Sequence, residues 1–333
     1  MSDDILVRVE GLERYYGERP AVGGVTFQVR RGEVLGFLGP NGAGKSTTMQ
    51  IIAGALAPSA GLVLVDGVDI LDEPLKAKAQ VGYLPEQPPL YRELTVDEYL
   101  GYCARLHRVP RGRVAEVRER VKARCGLTDV GRRLIGNLSK GYQQRVGIAQ
   151  AVIHSPAVVI LDEPTVGLDP IQIREIRALI RELGGEHSVI LSTHVLPEVQ
   201  SVCDRVLIIH QGRLVLDERV DRLALGLAEP ALRATLRRPP AEAELLDLPG
   251  VLEAEVGEGG RVTLRFREGE DPTQSLVARA VANGWGLVEL APQRRSLEEV
   301  FVQLTCGEDG AHAPAAGGRG VNAAVAPVRE GAP

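Results

Sequence analysis

Apolar and polar positions sort the chain into strand-like runs, helical periods and turns. The runs Val34-Leu35-Gly36-Phe37-Leu38, Ala157-Val158-Val159-Ile160-Leu161 and Ser188-Val189-Ile190-Leu191-Ser192 are short and almost wholly apolar. Such runs predict strands covered on both faces, as in a parallel sheet. Weaker β stretches fall at 5–9, at Ala21-Val22 with 25–29 as a second stretch, and at 62–65, Val68 and 81–85. Tyr15-Tyr16-Gly17 reads as a turn between the first two, and Asp66-Gly67 as another. Residues 95–152 carry mostly helical periods. Thr95-Val96-Asp97-Glu98 fits a capping box. A charged amphipathic helix follows at 113–124, ended by Gly126, and its charges read as a solvated face. Ser139 stands where an N-cap belongs, before a helix to about 153, and 171–183 is a further helix. The stretches 206–209 and 213–216, joined by Gln211-Gly212, predict a hairpin.

Beyond the hairpin the pattern becomes strand 231–237, helix 241–248, strands 251–256 and 262–266, helix 271–283 capped by Asp271, and strand 286–290. The order β-α-β-β-α-β predicts a small α+β, ferredoxin-like sandwich, with a last helix at 296–304. The tail from Gly307, rich in Ala, Gly and Pro, reads as disordered. The expected division is 1–220, 221–305 and a tail 306–333.

Composition changes this picture little. A chain of 333 residues with 44% apolar and 25% charged residues suits about two soluble domains. The net charge of -5 argues against a nucleic-acid partner. The second sheet carries Arg233, Arg237, Arg261, Arg265 and Arg267, but of the aromatic residues an RNA-binding sheet needs it offers mainly Phe266. Cys103, Cys125, Cys203 and Cys306 are scattered, which suits a reducing cytosol and neither a zinc site nor a disulfide framework. No signal peptide and no run of about 20 apolar residues is visible, so any membrane role is expected to pass through a partner.

The chemistry begins directly after the first buried strand. Gly39-Pro40-Asn41-Gly42-Ala43-Gly44-Lys45-Ser46-Thr47 matches the phosphate-loop pattern and opens a helical stretch at Thr48. Glycines allow the backbone to wrap phosphate oxygens, and the loop N–H groups and helix N-terminus both favour an anion. Lys45 is placed to bridge the outer phosphates, and Ser46 to hold Mg2+. The second buried strand ends in Asp162-Glu163-Pro164. A carboxylate pair at a strand end suits Mg2+ held through water by Asp162 and a water polarised by Glu163. The third strand leads into Thr193-His194, which puts a γ-phosphate contact within reach of His194; a plain loop histidine is the other reading. Tyr15 and Tyr16, near the loop, suit either adenine stacking or a hairpin end.

Leu138-Ser139-Lys140-Gly141-Tyr142-Gln143-Gln144-Arg145 resembles the signature sequence of ATP-binding-cassette (ABC) proteins, and Val166-Gly167-Leu168-Asp169-Pro170 looks like their D-loop. With the phosphate loop and the Asp-Glu strand in the family's order, the resemblance spans about residues 5–217. It implies an α/β, P-loop NTPase fold: a RecA-like core, an antiparallel β subdomain and a helical subdomain carrying the signature. It implies Tyr16 as the residue stacking on adenine. It also implies residues Gly39 to Thr47 as the ATP site, Asp162 and Ser46 as the Mg2+ site, Glu163 and His194 as catalytic, and Asp169 in the D-loop. Two copies are then expected head to tail, so that Leu138, Ser139, Lys140, Gly141 and Tyr142 of one meet the ATP of the other. With one cassette per chain, a homodimer is expected.

Two positions depart from the family pattern. Lys140 and Tyr142 stand where Gly and Gln are commonest. The Q-loop glutamine position falls on Glu86, with Gln87 one residue later, and both remain open. Gly82-Tyr83-Leu84-Pro85-Glu86, Leu90-Tyr91 and Ser296-Leu297-Glu298-Glu299-Val300-Phe301 look like exporter ATPases that work with a separate multi-span permease. The expected location is therefore cytoplasmic, peripheral on the cytoplasmic face of the inner membrane. The C-terminal region reads as a bracing or dimer-support domain in preference to a ligand sensor. The rival class is a soluble ABC ATPase of DNA repair or translation. Against it, only about 90 residues separate Lys45 from Ser139, with no long heptad insertion, and the chain holds one cassette.

Overall fold

The computed structural model describes residues 4–226, 231–267 and 269–292. The expected helix at 296–304 and the tail 306–333 lie outside them. The chain opens with β1 (Ile5–Tyr16) and β2 (Arg19–Arg30), then β3 (Val34–Leu38) and α1 (Lys45–Ile52). β4 (Ala60–Val65), β5 (Val68–Asp69), α2 (Pro74–Ala79) and β6 (Val81–Leu84) come next. The helices α3 (Val96–Leu106), α4 (Val114–Arg124) and α5 (Lys140–Val152) precede β7 (Val158–Asp162). α6 (Pro170–Gly184), β8 (Ser188–Thr193), α7 (Leu196–Val202), β9 (Arg205–His210), β10 (Arg213–Arg219) and α8 (Val220–Gly226) complete this part. The remainder is β11 (Ala231–Leu236), α9 (Glu242–Leu246), β12 (Val251–Val256), β13 (Arg261–Phe266), α10 (Thr273–Ala282) and β14 (Leu287–Pro292).

Six strands form the central sheet in the order β10-β9-β3-β8-β7-β6, parallel except for the β9–β10 hairpin. Its apolar strands feed two cores. Leu35, Phe37, Val158, Ile160, Ile190, Leu207 and Ile209 face the antiparallel sheet β2-β1-β4-β5. Their neighbours Leu38, Val159, Leu161, Val189, Leu191, Val206 and Ile208 face the helices. Side chains alternate across a strand, so a strand covered on both faces needs no polar position. The third sheet, β12-β13-β11-β14, is wholly antiparallel and has its own core around Leu232, Leu236, Leu264, Leu276 and Trp285. This is the ferredoxin-like order expected from the alternating pattern.

Several local expectations change. Tyr15 and Tyr16 end β1, pairing with Pro20 and Arg19, and the turn itself is shorter. β2 runs as one strand through Gly23 and Gly24, longer at both ends than the expected stretch. Four register shifts along the β1–β2 pair blur the alternation on which strand bounds depend. Asp271 precedes the cap of α10: the N-cap is Pro272, and Asp271 accepts from the Thr273 N–H at 2.9 Å. The charged face of α4 is not wholly solvated. Lys122 is buried, and its ammonium lies 2.5 Å from Asp97 and 3.0 Å from Glu119, because α4 packs on α3. The capping box of α3 is present, with the Glu98 N–H 3.2 Å from Thr95 Oγ1 and the Thr95 N–H 2.8 Å from Glu98 Oε2.

One contact places the signature helix. A Cβ on Gly82 of β6 would lie 2.1 Å from the Ala151 carbonyl oxygen of α5. A Cβ on Gly147 would lie 2.7 Å from Leu84 Cδ1 and 3.1 Å from Pro88 Cβ. Strand and helix therefore touch backbone to backbone.

Candidate functional site

The phosphate loop leaves the C-terminal end of β3 and enters α1 at Lys45. Gly44 has φ 105°, and a Cβ there would lie 2.4 Å from the Ala21 carbonyl oxygen; one on Gly39 would lie 2.4 Å from that of Ile209. The loop is thus wedged between β2 and β9, and only glycine meets both demands. The N–H groups of α1's first turn have no side-chain cap, and no acidic residue stands there, which leaves them for an anion. The buried Lys45 ammonium reaches back to the Gly39 carbonyl at 2.8 Å and the Pro40 carbonyl at 3.3 Å. Ala43 is held by the Gly212 N–H, which donates to its carbonyl at 3.0 Å.

β7 brings in the carboxylates from the next strand but one. Asp162 is 1% exposed, and its Oδ1 has no hydrogen-bond partner among the described residues. Burial pushes the Asp162 carboxyl up, while the Ser192 and Ser46 hydroxyls beside it oppose the shift. Glu163 is also buried and has φ 48°, left-handed backbone that is uncommon for a non-glycine residue. Its N–H donates to the Ser192 carbonyl at 2.8 Å. Glu163 Oε1 lies 3.5 Å from the Lys45 ammonium, and both carboxylate oxygens lie 2.9 Å from His194 Nδ1. One cleft of about 380 Å3 gathers Asn41, Gly42 and Gly44 to Thr47 with Glu86, Glu163 and His194.

Glu86 rather than Gln87 lines this cleft. Gln87 lines a neighbouring cleft of about 530 Å3, which Glu86 shares with Lys140, Gln143, Gln144 and Arg92. The signature residues stand apart from the phosphate loop of their own chain. Ser139 caps α5, its Oγ accepting from the Tyr142 N–H at 3.4 Å, so its proton remains to donate outward. Leu138 is buried, its carbonyl accepting from Gln143 Nε2 at 3.0 Å, whereas Tyr142 is exposed. Gly141 lies under Gln172, whose Cδ would be 2.6 Å from an added Cβ. The Lys140 ammonium crosses Gly167, where an added Cβ would lie 2.0 Å from it. Asp169 caps α6, accepting from the Ile171 and Gln172 N–H groups, each at 2.9 Å. Tyr16 is half exposed and does not line the cleft; the Arg14 guanidinium lies 5.1 Å from its ring centre.

Sequence reasoning missed Glu198, a buried carboxylate on α7 that binds Thr165 and Thr193 beside this cluster. Its only signal was an acidic residue in the first turn of a seven-residue helix. No described group of three or more His, Cys, Asp or Glu side chains is arranged to hold a metal. Oxygen ligands from Ser46 and Asp162, with the unpartnered Asp162 Oδ1, do fit a hard cation that completes its shell with phosphate and water.

The family model for ABC transporter domains matches residues 22–166. The linearmycin resistance ATP-binding protein LnrL of Bacillus subtilis is 33% identical over 90% of this chain and 98% of its own. The bacitracin transport ATP-binding protein BcrA of Bacillus licheniformis is 32% identical over 91% and 98%. Among solved structures, an ATP-binding subunit of an ABC transporter is 32% identical, with TM-score 0.61 over 66% of this chain and 92% of its own. The cbiO1 protein of Clostridium perfringens is 31% identical, with TM-score 0.61 over 66% and 90%. The likeness to the two Bacillus relatives covers nine-tenths of the chain, and all of these likenesses join it to transport proteins rather than to the repair or translation class. The chain therefore belongs to the ABC transporter family, as one of its ATP-binding, ATP-hydrolysing subunits.

Proposed function

We propose that this chain powers export through a separate multi-span permease, working as a head-to-tail homodimer on the cytoplasmic face of the inner membrane. The likeness to linearmycin resistance and bacitracin transport ATP-binding proteins supports export. That no described helix is long and apolar enough to cross a membrane agrees with a permease supplied in trans. One observation carries the catalytic reading: Lys45, Ser46, Glu86, Glu163 and His194 share one cleft, and none of residues 138–142 lines it.

In this reading the N–H groups of Gly42 to Lys45 receive the phosphates of ATP, and Lys45 bridges the outer two. Tyr16 stacks on adenine with the ring face that Arg14 leaves open. Ser46 and Asp162 would hold Mg2+, which would neutralise developing phosphate charge. Glu163 accepts the proton of the attacking water, and His194 holds both the carboxylate and the γ-phosphate in place. Glu86 fills the Q-loop position. Ser139 and the Gly141 N–H complete the site of the other copy, with Asp169 in the D-loop beside them. The wall around Glu86–Tyr91, where Tyr91 and Tyr102 are exposed with rings 5.7 Å apart, receives a cytoplasmic loop of the permease. The chain divides near residue 220, and the ferredoxin-like part braces the dimer. Glu163→Gln tests the core of this reading. ATP binding should persist, turnover should fall by about 100-fold or more, and ATP-dependent dimers should accumulate on size-exclusion chromatography. Turnover near the parent value would sink the role given to Glu163.

A further inference from the structure

Glu198 is 2% exposed, yet the reaction described above gives its carboxylate no task. It accepts a hydrogen bond from the Thr165 hydroxyl at Oε1 and from the Thr193 hydroxyl at Oε2, the latter at 2.9 Å. Arg177 of α6 approaches Oε1 to 3.8 Å. Both threonines are buried, at 5% and 0% exposure. Thr193 Oγ1 also accepts from the Val195 N–H at 3.0 Å, so its own proton is committed to Glu198. A buried carboxylate is costly unless it is hydrogen-bonded and paired, and here two hydroxyls donate to it and a guanidinium stands within ion-pair range.

The positions of the donors matter more than their number. Thr165 lies two residues past Glu163, and Thr193 immediately precedes His194. Glu198 itself comes from a third element, α7. One carboxylate thus joins the segment carrying the catalytic glutamate to the segment carrying the histidine. Glu163 needs such support. Its φ of 48° is a strained backbone state, of a kind that persists only where the surroundings fix it. The Glu163 N–H to Ser192 carbonyl bond fixes the near end of that turn, and the Thr165–Glu198 bond fixes the far end.

We propose that Glu198 is a positioning residue for ATP hydrolysis, clamping Thr165 to Thr193 so that Glu163 and His194 keep their facing geometry. The inference rests on the role given to Glu163 above. The test uses the full chain. Thr165→Val, which keeps shape and removes the hydroxyl, is compared with Thr165→Ser, each alone and with His194→Ala, beside Glu163→Gln as control. Steady-state kcat and KM, ATP binding and thermal melting are read for each. Thr165→Val should lower kcat by about tenfold to hundredfold with KM within about twofold of the parent. Thr165→Ser should restore kcat to within about threefold, because it returns the donor. In the His194→Ala background Thr165→Val should add less than about twofold, since the facing pair that the clamp maintains has lost one member. A kcat for Thr165→Val within twofold of the parent would overturn the proposal. So would a failure of Thr165→Ser to restore it, or losses from Thr165→Val and His194→Ala that multiply in full. A purely structural bond would shift the melting midpoint and leave the kcat of folded protein unchanged. If Thr165→Val does not fold, Glu198→Gln, which keeps volume and one acceptor, is judged by the same kcat and coupling criteria. Normal turnover in Glu163→Gln would overturn the parent reading together with this one. An inactive Glu163→Gln beside a normal Thr165→Val overturns this one alone.

Discussion

Glu163 turns both carboxylate oxygens to a single nitrogen, His194 Nδ1, at 2.9 Å each. A carboxylate only accepts, so Nδ1 carries the proton and Nε2 remains the free position of the ring. The pair is held where the Lys45 ammonium also reaches the carboxylate, 3.5 Å away. The Glu163 carboxylate, the His194 ring and the Lys45 ammonium are therefore one connected cluster.

His194→Ala breaks that cluster at its exposed member. Turnover should fall by about 100-fold, since an oriented base contributes on this order, while ATP binding at the loop is retained. Parallel measurement of nucleotide affinity and ATPase rate checks both halves. An equal loss in affinity would place His194 in binding instead.

Head-to-tail pairing is tested by mixing. Ser139→Ala and Lys45→Ala subunits should each be inactive alone, and a mixture should regain about a quarter of parent activity, because half of the dimers carry one intact composite site. Activity that does not rise on mixing would count against sites shared between copies.

Gly82→Ala should destabilise the fold by about 1–3 kcal/mol, because the new methyl meets the Ala151 carbonyl oxygen where neither backbone can yield. The urea midpoint of the cassette transition reads this. Gly67→Ala also tests backbone strain, at φ 75°, but without a neighbour within 4 Å, and should cost less.

A pH dependence follows from two stacked histidines. The rings of His107 and His154 lie 3.8 Å apart, and His154 Nε2 is 3.2 Å from the Val81 carbonyl oxygen. Burial pushes His107 down and pushes His154 down to about 4, with the neighbouring His107 ring adding to the latter shift. A histidine whose folded pKa is depressed binds fewer protons folded than unfolded. Its stability contribution is whole above the unfolded value near 6.5, falls as the pH drops towards 4, and is gone below that. Stability should therefore decline by on the order of 2 kcal/mol from pH 7 to pH 4 through this pair, and His154→Gln should flatten that part of the profile. Denaturant midpoints across this range provide the check.

The parts of the site that depend on chain neighbours were legible in the amino-acid sequence. The phosphate loop, the acidic end of β7 and the caps at Ser139 and Thr95 are each set within a few residues. The two covered faces of the central sheet could be read because β3 and all but the last residue of β7 are apolar and β8 holds Val189, Ile190 and Leu191 in succession. What escaped depends on contacts far along the chain. Lys122 belongs to Asp97, 25 residues away, and Glu198 to Thr165, 33 residues away, so neither burial shows as periodicity. α2 and α7 are six and seven residues long, with prolines in their first turns, and a short segment opened by proline reads as a break. The choice between Glu86 and Gln87 needed the path of the chain after β6, which sends Glu86 into the phosphate cleft.

The close approach of β6 and the segment after it to α5, with Gly82 against Ala151 and Gly147 beneath Leu84 and Pro88, has a mechanical consequence. It gives α5 a pivot near Gly147, where Leu84 and Pro88 bear on the helix, with the signature end of the helix beyond it. Eight residues separate Gly147 from Ser139, an arm of about 12 Å. A tilt of about 10° at the pivot carries the Ser139 hydroxyl through about 2 Å, the difference between touching and missing a hydrogen-bond acceptor. A tilt of α5 set by the Pro88 segment would thereby open or close a contact at the other end of the helix.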